Sequence, residues 1–85
     1  MSARNDGMPK LQSELQEYLG SLSYRDRGVI EMLYGLGDHY FYSKEEVAKV
    51  WGVSPHMIVE IDTRIRDQLA KKELLHALPK RPSSK

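Results

Sequence analysis

The chain has no cysteine, which removes any disulfide framework and any thiolate metal ligand and fits a reducing compartment. Its three histidines, His39, His56 and His76, are too scattered for metal-ligand spacing, so neither a metal nor another cofactor is expected. No apolar run approaches the roughly 20 residues needed to span a bilayer. The opening MSARNDGMPK lacks the apolar core of a signal peptide, and a cytoplasmic protein without membrane contact is expected. Glycine is arranged without a phosphate cradle, because Gly35-x-Gly37 follows a helical pattern instead of a strand. There is no paired-carboxylate cleft and no serine or cysteine nucleophile set beside a histidine base. A chain of 85 residues buries only about 60% of its unfolded surface and has no room for an ordinary substrate pocket. A single domain with neither catalysis nor a small-molecule substrate is therefore expected.

Net charge is small, but its distribution is uneven. The formal +1 divides into 8 Lys+Arg against 11 Asp+Glu through Ala70, net −3, and 5 against 1 from Lys71 onward, net +4. Duplex DNA binding draws much of its free energy from phosphate neutralisation, so an acidic body is a weak starting point for it. Residues 1–8 are polar and residues 79–85 (PKRPSSK) are basic and proline-containing, and both ends are expected to be mobile around a domain spanning 9–78.

Within that domain the apolar spacing is helical throughout, and the class expected is all-α, with four to five helices. Leu11, Leu15, Tyr18, Leu19 and Leu22 mark a first helix ending near Gly20. Ser23-x-x-Asp26 caps a second, with Val29, Ile30 and Leu33 on its apolar side and Gly35 past its end. Gly35 to Asp38 reads as a turn, and Tyr40, Phe41 and Tyr42 are expected to close the core over it. The most strongly specified stretch is Ser43 to Asp62, SKEEVAKVWGVSPHMIVEID. Ser43-x-x-Glu46 is a capping box that starts a helix at Lys44. Gly52 suits its left-handed end, Ser54 caps the next helix, and Pro55 takes the first position, where no N–H is needed. Val53 and Ile58 form a hydrophobic staple across that cap, and Ala48 lies where two helices cross closely. This is the spacing of a helix-turn-helix. The last helix runs from Pro55 toward Lys72 with Ile58, Ile61, Ile65 and Leu69 inward, and Trp51 is expected in the core. A short turn over Glu73 to Leu78 follows it.

The blocks LSYRDRGVIEMLYGLGD and YSKEEVAKVWGVSPHMIVEID resemble the fourth conserved region of bacterial housekeeping sigma factors, from Leu22 to about Leu69. The resemblance implies a helix-turn-helix module of bacterial transcription that docks on the flap of RNA polymerase and reads the minus thirty-five promoter element. The departures share one chemical theme. Leu33 stands where the family has arginine before the aromatic of the YGLGD block. Pro55, His56 and Met57 replace an Arg-Glu-Arg run, Val59 and Glu60 replace Arg-Gln, and Asp67 replaces a cation. Guanine edges are read best by arginine forks and adenine by amides, so the usual base readers are absent.

Two mechanisms stay open on these residues. In the first, the last helix enters the major groove of promoter DNA, Ser54, His56 and Glu60 face bases, and Arg25, Arg27, Lys49 and Arg64 hold phosphates. In the second, a scaffold without base readers binds RNA polymerase or a sigma factor as a competitor, through apolar surface at Leu33, Met57 and Val59. Intrinsic DNA binding is expected to be weak in the first and absent in the second.

Overall fold

Serine hydroxyls start three of the four helices. In the computed structural model, which describes residues 7–79, the elements are α1 (Gly7–Gly20), α2 (Tyr24–Leu33), α3 (Lys44–Trp51), α4 (Pro55–Lys71) and a 3-10 turn (Leu75–Ala77). The described residues are all-helical. Ser23, Ser43 and Ser54 each hold an extended backbone and accept, through the side chain, the N–H of Asp26, Glu46 and Met57 at 3.1, 3.1 and 3.2 Å. Glu46 reciprocates by accepting the Ser43 N–H at 2.9 Å, completing the capping box. The first helix starts at Gly7, inside the stretch expected to be mobile, and residues 1–6 and 80–85 of the two expected tails lie outside the described residues.

One core unites the elements. Leu15 and Leu19 of α1, Val29, Ile30 and Leu33 of α2, Val47 and Ala48 of α3, and Ile58, Ile61, Ile65 and Leu69 of α4 are buried together with Leu74, Ala77 and Leu78. The α1 helix rests on the 3-10 turn, where the Gln12 side chain donates to the Ala77 carbonyl at 3.1 Å. Helices α3 and α4 are joined by only Gly52 to Ser54. Gly52 takes φ 67°, the left-handed region that glycine reaches without a Cβ penalty, and the Val53 N–H returns to the Ala48 carbonyl at 3.0 Å.

The α2–α3 crossing depends on Gly28. A Cβ built there would sit 2.4 Å from the Trp51 ring, so the indole packs directly against the α2 backbone. Trp51 is half-buried, not fully in the core as its sequence position suggests. Its outer edge meets the exposed Tyr24 ring at 5.6 Å, edge to face, and its buried indole N–H has no hydrogen-bond partner among the described residues. Between α2 and α3, Gly35 turns the chain at φ 65° beneath the Phe41 ring, and the Tyr42 N–H bonds the Met32 carbonyl at 3.0 Å. Phe41 and Tyr42 are half-buried over this turn, whereas Tyr40 points outward.

Candidate functional site

The candidate site is the outer side of α4 together with the ends of α2 and α3 that flank it. Helical periodicity sends Ile58, Ile61, Ile65 and Leu69 inward, which leaves Pro55, His56, Val59, Glu60, Thr63, Arg66 and Asp67 exposed along one side. Ser54 and the candidate base readers His56 and Glu60 are therefore all solvent-facing. They are also engaged. Ser54 accepts the Met57 N–H as the cap, and the His56 Nε2 lies 3.0 Å from the Glu60 carboxylate one turn later. Farther along, Lys71 is 3.4 Å from Asp67.

The candidate phosphate cations are largely committed within the fold. Arg64 donates to Asp26 Oδ2 at 2.8 Å, Arg25 lies 3.4 Å from Asp26 Oδ1, and Arg27 is 3.5 Å from Glu31 one turn away. Lys49 is exposed on α3 and has no carboxylate within ion-pair distance among the described residues. Asp26 itself is buried, so its two arginines answer the cost of desolvating a carboxylate. Tyr18 of α1 stands close to this cluster. Burial raises the pKa of its phenol, Arg64 opposes that rise, Asp26 adds to it, and the Lys72 ammonium sits 5.6 Å from the ring centroid.

Two of the three apolar interface candidates are placed differently from expectation. Leu33 is only 6% exposed and belongs to the core, because the last turn of α2 points it toward α4. A leucine at this position fills the interior and adds no apolar surface. Met57 is half-buried and packs against the core at the first turn of α4, so it too is not an open surface residue. Val59, 41% exposed, is the one that faces solvent.

Val59 lies on the edge of a groove of about 330 Å³, lined by Leu33 and Tyr34 from the end of α2, Ser43, Lys44 and Glu45 from the start of α3, and Ile58 and Asp62 from α4. The Tyr34 hydroxyl donates to Asp62 Oδ1 at 2.7 Å and ties the α2 end to the middle of α4. An apolar lining with a rim of Lys44, Glu45 and Asp62 can seat an apolar side chain and orient it by charge. Sequence reasoning passed over Tyr34 and Asp62, and it read Asp26 only as a residue of the α2 start. Their partners lie 28 and 38 residues away, at separations that helical periodicity does not report.

No family model matches this chain. Among the described residues, no group of three or more His, Asp or Glu side chains could hold a metal ion, and no helix is long and apolar enough to cross a membrane.

Proposed function

We propose that this chain is a helix-turn-helix module of bacterial transcription, similar to region four of housekeeping sigma factors, whose main partner is RNA polymerase or a sigma factor and whose hold on promoter DNA is weak. The observation that supports it is the division of labour on α4. The polar groups of its first turns, His56 and Glu60, lie 3.0 Å apart, while the apolar Val59 borders an open groove. A protein that binds polymerase in this way without reading promoters competes with a sigma factor. Promoter recognition remains the second reading, favoured by the outward presentation of Ser54, His56 and Glu60 at the start of α4.

The test is capture of RNA polymerase or a sigma factor from a bacterial extract by the purified chain, compared with a Val59→Arg variant. Loss of capture at unchanged helicity is the expected result. Capture indifferent to Val59→Arg moves the interface away from the groove. No capture, combined with nanomolar sequence-specific binding to a minus thirty-five duplex at physiological salt, replaces the protein-partner reading with the promoter one. Leu33→Arg is unsuitable for this purpose, since it would place a charge in the core.

A further inference from the structure

Asp26 occupies the third position of α2, and two arginines from different helices converge on it. Arg64, from α4, donates its Nη2 to one carboxylate oxygen at 2.8 Å, the short distance of a charge-assisted bond. Arg25, from α2, approaches the other oxygen through both Nε and Nη2 at 3.4 Å. The carboxylate side chain is only 10% exposed, whereas Arg25 and Arg64 are 44% and 53% exposed. The acid is thus on the inside and the two guanidinia are on the outside, one on each of its oxygens. Such a pair of forks fits a phosphate as readily as a carboxylate, because both anions offer two neighbouring oxygens to planar N–H donors.

We propose that Asp26 is an internal stand-in for a backbone phosphate of duplex DNA, holding Arg25 and Arg64 in a filled oxyanion clasp and thereby restraining the protein's binding to nucleic acid. The inference rests on the second of the preceding readings, promoter recognition, only in that Arg25 and Arg64 then face a duplex. An arginine held by an internal acid is withheld from phosphate, so its contribution to DNA binding is small. Releasing both arginines adds two phosphate contacts, each steepening the dependence of log affinity on log salt by about 0.9.

Asp26→Asn keeps the shape of the side chain and its capacity to accept a hydrogen bond, but removes the charge. Titrated with a random-sequence duplex, it is expected to bind on the order of tenfold more tightly than the natural chain at low salt, with a steeper salt slope by about 1 to 2. Asp67→Asn serves as the charge control, since it removes the same charge from an exposed position on α4. Its increase should be clearly smaller. An equal increase in both variants, or weaker binding by Asp26→Asn, overturns the inference, the second outcome meaning that Asp26 positions the arginines for DNA. If Asp26→Asn does not fold, the natural chain decides the matter through its arginine Nε–H resonances. At a duplex concentration that saturates the backbone amide shifts, Arg25 and Arg64 should stay at their free positions, and a saturable movement of both overturns the clasp. Polymerase capture is not involved in any of these measurements, so failure here is distinct from failure of the functional reading.

Discussion

At the scale of single residues, Gly28 is the most constrained position that the sequence did not advertise. It stands in the middle of a helix, where glycine is ordinarily destabilising, and alanine would be favoured by about 1 kcal/mol on propensity alone. The Trp51 ring, however, fills the space where a Cβ would go. Gly28→Ala is therefore expected to destabilise by about 1–3 kcal/mol despite its better propensity, through overpacking at the α2–α3 crossing. A thermal melt with Trp51 fluorescence as the probe checks both the loss and its location. If the variant is more stable, the indole does not lie against α2. A second residue-scale expectation concerns the turn before α3, where Asp38 accepts the Tyr42 hydroxyl at 2.7 Å and the Tyr40 N–H at 3.1 Å. The Tyr42 bond, then the Tyr40 bond, lowers the Asp38 pKa, while the same contact raises that of the Tyr42 phenol. The lowered acid contributes stability that is present above the ordinary aspartate range and is lost as pH falls through its folded value. The raised phenol contributes stability that is present below the ordinary phenol value and is lost as pH rises through its folded value. Carboxyl-detected NMR should find the Asp38 midpoint below that of an ordinary aspartate. Tyr42→Phe should move it most of the way back, the Tyr40 N–H accounting for the remainder. A midpoint indifferent to Tyr42→Phe would remove the contact.

At the scale of elements, α3 and α4 were legible in advance because their ends are written in local chemistry. Ser43 with Glu46, Gly52, and Ser54 with Pro55 each act within four residues of one another, a distance over which sequence and structure are nearly the same thing. These caps make a quantitative prediction, since Ser54→Ala removes the side-chain acceptor of the Met57 N–H and leaves it only the Ser54 carbonyl. It should cost roughly 1 kcal/mol in a denaturant titration, with Ser54→Gly costing less. Ala48→Leu tests the crossing itself, because Ala48 is buried where α3 meets its neighbours, and it should cost about 1–3 kcal/mol. A Leu variant with unchanged stability would mean that the two helices are not in close approach there. What the sequence concealed belongs to the other kind of relation. Leu33 could be assigned to the core by its spacing with Val29 and Ile30, or to an interface by its contrast with the arginine of the sigma pattern it resembles, and only its burial in the packed core decides. Asp26 likewise reads as a helix-start residue. Its role in joining α2 to α4 depends on Arg64, far along the chain.

For the whole molecule, the question is how a scaffold of this shape distributes its charge, and whether α4 is presented to DNA as the sigma resemblance implies. Of the candidate phosphate cations, Arg25, Arg27 and Arg64 lie against carboxylates of α2, and the body through Ala70 is net −3. Binding to random duplex should accordingly be weak and collapse between low and physiological salt. Presentation can be tested separately from affinity by installing the base readers that sigma region four carries. Pro55→Arg, His56→Glu and Glu60→Gln together remove the His56–Glu60 pair and return a guanine fork and an adenine amide to the first turns of α4. The Ser54 cap and the buried Ile58 still fix where that helix begins. Each good bidentate contact supplies roughly 1–3 kcal/mol of discrimination, so the triple variant should prefer a minus thirty-five duplex over random DNA by on the order of tenfold or more. Adding Asp67→Arg exchanges an acid paired with Lys71 for a cation on the same exposed side. Affinity for both duplexes should rise while their ratio stays nearly constant, because phosphate contacts position a protein without specifying sequence. If the triple variant is folded and shows no preference at any salt concentration, α4 does not enter the groove as it does in the sigma family. The resemblance would then describe the scaffold alone, and the groove beside Val59 would be left as the surface through which this chain acts.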